Sequence, residues 1–212
     1  MSVGTYLDII ESLGVIAASA TAVFGVLSWR AQLRYKRKYE LAEEVLALSY
    51  EARDVIRQIR SPMGFVGEGG TRTARDGESP DEKRILDQAF VAAERYGRNR
   101  AVFDRLHALR YRFMAAFDPG LAAPFDEFRQ VVNQIVLSAM RLGHLWLERS
   151  RPVARRPGDE QRLLDQIEKH EAVIWGDSSD DIIADPFQQR VDNAVTALET
   201  ACQGLIRGGW RG

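Results

Sequence analysis

An uncharged stretch occupies residues 12–29 and reads SLGVIAASATAVFGVLSW. A helix of about 18 or more uncharged, largely apolar residues is long enough to cross the hydrocarbon core of a bilayer. Tyr6 and Trp29 lie near its two ends, where aromatic side chains are expected to meet the membrane surfaces. We therefore predict a single N-terminal transmembrane helix within residues 1–30. The alternative interpretation is a buried helix of a soluble fold.

Five basic residues follow this stretch, and we call them the basic cluster: Arg30, Arg34, Lys36, Arg37 and Lys38. The acidic residues Asp8 and Glu11 precede the stretch, whereas a cleaved signal peptide begins with basic residues. Basic residues beside a span are retained in the cytoplasm and attract anionic lipid. The pattern predicts a single-pass protein of the cell inner membrane, with its N-terminus outside, its C-terminal domain in the cytoplasm, and membrane lipid as a partner.

Small residues recur along the same stretch at spacings of four, three and four. They are Gly14, Ala18, Thr21 and Gly25, which we call the small-residue stripe. Such stripes let transmembrane helices approach closely. The stripe predicts a transmembrane packing surface and a homo-oligomer, although a sequence rich in Ala also produces such spacings by chance.

The rest of the chain has the apolar spacing of helices and lacks the alternating pattern of strands. Residues 31–62 read as a juxtamembrane helix that joins a bundle, and residues 79–207 as the remainder of that bundle. The apolar seam of the juxtamembrane helix has four-three spacing: Leu41, Val45, Leu48, Ala52, Val55 and Ile59. The predicted fold class is all-α, with a transmembrane helix followed by a cytoplasmic helical bundle of about four to five helices.

The bundle elements also carry helix-start signals. Ser79, Pro80 and Glu82 form a predicted capping box, and Asp185 followed by Pro186 is predicted to start the last helix. The segment from residue 124 to 147 is the most apolar of the bundle and is predicted to lie at its centre.

Residues 63–78 read as a flexible Gly-rich loop, and residues 208–212 as a tail. The loop lacks the Gly-Lys-Ser/Thr ending of a phosphate-binding loop, so we interpret it as a connection. Phe65 and Val66 within it are expected to dock on the bundle or on a partner.

Overall composition limits the function classes. The 212 residues include 29 Lys and Arg against 30 Asp and Glu, a net charge of -1, which disfavours a nucleic-acid partner. Cys202 is the single cysteine, so an internal disulfide and a cysteine-based zinc site are excluded. Charge is uneven: residues 159–192 hold ten Asp and Glu but three Lys and Arg, which suggests an acidic face toward cytoplasmic partners.

Catalytic and metal-binding motifs are absent or incomplete. The three histidines are His107, His144 and His170, and none follows the Glu-x-x-His pattern of di-iron bundles. His170 and Glu171 begin like a zinc-protease motif, but Ile174 occupies the position of the second histidine. We predict no catalytic residue, no metal ligand and no cofactor.

One acidic loop is a candidate for partner contact. Asp177, Asp180 and Asp181 follow Trp175, and carboxylates in a loop contact a partner, cap a helix or bind a hard cation. Trp175 itself is expected either to cover the helix packing or to contact the same partner.

Together these patterns favour a membrane-anchored, non-enzymatic adaptor or regulatory module that presents its bundle to an unknown cytoplasmic protein. Two alternatives stay open: an oligomerising membrane effector that perturbs the bilayer, and a helical-bundle enzyme with a carboxylate-bound metal.

Overall fold

The fold is all-α, as predicted. The computed structural model describes the backbone of residues 3–152, 156–176 and 185–206, and their side chains except those of residues 3–13, 15, 17 and 157. These residues form five α-helices and a short 3₁₀ turn: α1 (Val3–Ile59), α2 (Pro80–Ala116), the turn (Pro119–Ala122), α3 (Ala123–Ser150), α4 (Pro157–Trp175) and α5 (Pro186–Ile206).

Helix α1 is 57 residues long, and its second half packs into the bundle. Among the side chains of α1 that the structure describes, the buried ones begin at Leu41, and all six residues of the predicted seam are buried. From Val26 to Ile59 the helix contains no Gly or Pro, the residues that most disfavour a helix interior. It ends at Ile59, shortly before Pro62, as expected because proline disfavours helical geometry in the residue that precedes it.

Helix α3 lies at the centre of the bundle, as its apolar sequence predicts. It packs against α2, α4 and α5, while α1 packs against α2 and α5. Its inward face supplies large, fully buried side chains to the core, among them Phe128, Ile135 and Leu142. Burying such side chains is the main source of stability for a bundle of this size.

The predicted helix starts are confirmed. The Ser79 side chain accepts a hydrogen bond from the Glu82 amide, and the Glu82 side chain accepts one from the Ser79 amide. Asp185 Oδ1 accepts the Phe187 amide at 3.0 Å, which satisfies an amide group in the first turn of α5.

Within the described part of the chain, no helix is both long enough and apolar enough to cross a membrane. The transmembrane helix expected within residues 1–30 is therefore unsupported.

Candidate interaction surfaces

The first half of α1 projects from the bundle with apolar side chains exposed. Every side chain from residue 18 to 27 is exposed, and Val23, Phe24 and Leu27 are 60%, 74% and 59% exposed. At about 100° per residue, these three positions and Val26 cover an arc of about 160°, and the other side of the helix carries exposed uncharged residues such as Ala18 and Ala22. A helix that is apolar all round is normally buried against lipid or protein, so this half of α1 is a candidate interaction surface.

The small-residue stripe lies on this projecting half. All four of its residues are exposed, and a Cβ placed on Gly14 or Gly25 would meet no other atom within 4 Å. The helical backbone aligns the stripe along one side of α1, where a second helix would have room to approach. Its role in packing stays a prediction.

The basic cluster lies where α1 meets the bundle. Its five side chains are exposed on α1, and Lys38 Nζ lies 5.7 Å from the centre of the Phe117 ring. Nearby, the Tyr35 hydroxyl donates to the Leu205 carbonyl oxygen at 2.8 Å. The cluster therefore lies at the end of the bundle that faces the projecting half of α1.

Trp175 ends α4 and is half-buried. Its ring stacks on that of Trp146, with 5.7 Å between centroids and 24° between planes, and Trp146 Nε1 donates to Glu171 at 3.1 Å. Asp177, Asp180 and Asp181 lie outside the described residues, so the partner contact predicted for this group stays a prediction.

A buried arginine at the end of α1, which the sequence analysis missed, joins three helices. Arg60 is 6% exposed and forms an ion pair with Asp185. Its guanidinium also donates to the carbonyl oxygens of Val173 at 3.0 Å and Ala172 at 3.2 Å. Arg60 therefore ties the end of α1 to the end of α4 and the start of α5.

A second buried arginine holds the Gly-rich loop. Arg95 is 5% exposed and donates to the carbonyl oxygens of Gln58, Ser61 and Met63 at 3.0, 2.8 and 2.7 Å. It also bonds both carboxylate oxygens of Glu68, at 3.1 and 2.6 Å. This planar, two-pronged geometry suits arginine, and the hydrogen bond from Arg95 lowers the pKa of Glu68.

The same loop approaches α2 closely at Gly69. Its amide donates to the buried carboxylate of Glu94, its φ is +85°, and a Cβ there would overlap the Asp87 carbonyl. Only glycine adopts this positive φ without strain and has no Cβ to clash with that carbonyl. The sequence gives only a weak signal for these contacts. Glu94 and Arg95 are charged residues close to Ala92, which lies at an inward position of α2.

The loop exposes three large apolar side chains at the end of the bundle opposite the basic cluster. Met63, Phe65 and Val66, which we call the distal tip, are 81%, 82% and 108% exposed. The Phe65 amide donates to Glu68 Oε2 at 3.0 Å, so the tip is connected to the Arg95 contacts. The expectation that Phe65 and Val66 dock on the bundle is wrong, whereas docking on a partner stays a prediction.

The described residues do not assemble a metal centre. Within residues 3–152, 156–176 and 185–206, no group of three His, Cys, Asp or Glu side chains is placed to hold a metal ion. Cys202 is fully buried, and burial raises the pKa of its thiol to about 11. A neutral, inaccessible thiol is a poor nucleophile, so Cys202 is not a candidate for covalent chemistry.

Comparison of the chain with protein-family models, with curated proteins and with solved structures finds no match.

Proposed function

We propose that this chain is a membrane-anchored, non-enzymatic helical adaptor or regulatory module. The proposal rests chiefly on the projecting half of α1, whose exposed side chains from residue 18 to 27 are uncharged on every side of a helix that continues into the bundle core. A bundle built on such a helix needs lipid or protein around the helix to remove the apolar surface from water.

The basic residues next to the projecting half of α1 favour lipid as its surroundings. The basic cluster follows the uncharged residues 12–29 directly, and its side chains are exposed where anionic headgroups would lie. In this proposal residues 12–29 are embedded in the inner membrane. The N-terminus is then outside the cytoplasm, and the bundle extends into it.

The distal tip supports the adaptor role. Along α1, Trp29 and Ile59 are 30 residues apart, which corresponds to about 45 Å at a rise of 1.5 Å per residue. The tip, which follows the end of α1, therefore lies far from the proposed anchor. Because the Arg95 contacts fix the loop, a protein partner would bind the tip with little loss of loop entropy.

Membrane extraction tests the anchor. We expect the wild-type chain to resist alkaline carbonate extraction, and Val23→Lys/Phe24→Lys to be released because two charges would enter the hydrocarbon. The matched control is Ala101→Lys/Ala108→Lys, which adds the same charges at exposed positions of α2. Release of the wild-type chain by carbonate would contradict an embedded anchor.

A second candidate function is an oligomerising membrane effector. The observation that favours it is the small-residue stripe, because nothing in the described chain fills the space beside Gly14 and Gly25. Crosslinking in native membranes should then lose its oligomers in Gly14→Leu/Gly25→Leu, and liposomes carrying the wild-type chain should conduct ions. Oligomers that persist in this variant would favour contacts through the bundle instead.

A further inference from the structure

A groove of about 570 Å³ lies between α3, α4 and the start of α5. Its wall includes the apolar side chains of Leu137, Val173 and Phe187. Leu137 is 54% exposed, so the groove opens an apolar surface to solvent. Binding sites for small organic molecules typically have volumes of about 300–1,000 Å³ and mostly apolar walls, and this groove fits both criteria.

Two of the polar side chains in the groove form a serine–histidine pair. Ser138 is 7% exposed, and its Oγ lies 3.1 Å from Nδ1 of His170. Burial lowers the pKa of His170, and the nearby charges of Arg141 and Lys169 lower it further. The imidazole is therefore neutral at pH 7 and is held in place by the serine hydroxyl.

Two cations line the groove near His170. Arg141 on α3 and Lys169 on α4 are exposed, and neither pairs with a carboxylate among the residues that the structure describes. Asp185 also lines the groove, but its carboxylate is in an ion pair with Arg60. The groove thus combines an apolar wall with two positive charges that form no ion pair among the described residues.

We propose that this groove binds an amphipathic organic monoanion, with its acid group between Arg141 and Lys169 and its apolar body against Leu137, Val173 and Phe187. The two cations provide charge-assisted hydrogen bonds to a carboxylate, and His170 and Ser138 add polar groups beside it. The limited positive charge and the apolar wall favour a monoanion over a polyphosphate. This site is independent of the proposed membrane anchor.

Histidine-selective NMR tests the proposal, because the chain has only three histidines and one of them, His170, lines the groove. The full chain, labelled at histidine, is titrated with 4-phenylbutyrate in the presence of phosphatidylcholine nanodiscs, whether or not it inserts into them. We expect saturable shifts of the His170 ring signals, with His107 and His144 unaffected because neither lines the groove. The neutral analogue 4-phenylbutanol and acetate, which lacks an apolar body, should bind at least about tenfold more weakly.

The matched variants are Arg141→Glu and Arg105→Glu, both at exposed positions, the second on α2 away from the groove. The first should weaken 4-phenylbutyrate binding about tenfold or more, as the loss of a hydrogen bond to a charged group implies. The second should leave it unchanged. Equal effects of the two variants, equal binding of 4-phenylbutanol, or no His170 response would overturn the proposal.

A further experiment distinguishes whether the groove binds a free acid or a lipid headgroup. Nanodiscs of phosphatidylglycerol present the anion on a lipid. If they shift His170 while 4-phenylbutyrate does not, the groove is not a site for free amphipathic acids and the proposal fails.

Discussion

At the residue scale, Arg95 shows how one side chain can order a segment rich in glycine. Its guanidinium reaches three backbone carbonyls and one carboxylate while only 5% of the residue is exposed. Removing one partner of a buried ion pair typically costs about 3–5 kcal/mol because the other charge is left unpaired. The conformation of residues 61–68 therefore depends strongly on the pair that Arg95 makes with Glu68.

This pair makes stability sensitive to acid. The pKa of Glu68 is lowered in the folded protein from its usual 4.5, so the carboxylate stabilises the fold above that pH, and this stability is lost as the pH falls through the lower folded value. We expect Glu68→Gln to unfold at lower urea concentration than wild type at pH 6, with a smaller difference at pH 3.

Glu51→Gln is the matched control, because Glu51 is exposed on α1. It should change the unfolding midpoint little at either pH. If Glu68→Gln and Glu51→Gln behaved alike at pH 6, the Arg95 pair would not contribute to stability.

At the element scale, the contact between α2 and α3 depends on a glycine. A Cβ on Gly143 would lie 3.1 Å from the Ala89 Cβ and 3.2 Å from Leu86 Cδ2. These distances are tighter than ordinary van der Waals contact, so the absence of a side chain at Gly143 sets how closely the two helices pack.

We expect Gly143→Leu to reduce the free energy of unfolding by about 1–3 kcal/mol, the usual cost of overpacking. Gly97→Leu is the control, because a Cβ at Gly97 in α2 meets nothing within 4 Å and leucine is a better helix former. Urea denaturation of both variants measures the difference. A Gly143→Leu variant as stable as Gly97→Leu would mean that α2 and α3 separate without cost.

The sequence predicts the helices far better than the contacts between their ends. The seam of α1 and the capping box at Ser79 are local patterns, read from residues three or four apart, and both are confirmed. The Arg60–Asp185 pair joins residues 125 positions apart. Nothing in the local sequence selects that partner, since the fold brings the two together. The groove beside His170 depends on three helices and was missed for the same reason.

At the scale of the whole molecule, α1 is a rod that joins the projecting half to the core. Residues 26–61 contain no Gly or Pro, so the sequence provides no hinge between the basic cluster and the bundle. The Tyr35–Leu205 hydrogen bond adds a side contact with the end of α5 at this junction.

Distance measurement by electron spin resonance tests this continuity. We expect spin labels introduced by Ala31→Cys and Gln58→Cys, both at exposed positions, to show one narrow distribution near 40 Å, from 27 residues at 1.5 Å each. Cys202 is buried and should not take up label under native conditions. Adding Arg37→Pro should shorten or broaden the distribution, and a broad distribution without it would contradict a continuous helix.

Because the backbone of α1 is uninterrupted, it also fixes how the bundle is rotated about the helix axis relative to residues 12–29. Since the seam from Leu41 to Ile59 must face the core, the direction in which the distal tip points is fixed relative to residues 12–29. One residue inserted between Trp29 and Leu41 would turn the tip by about 100° around the helix axis. Seven inserted residues would return it to within about 20° of its original bearing, roughly 10 Å farther away.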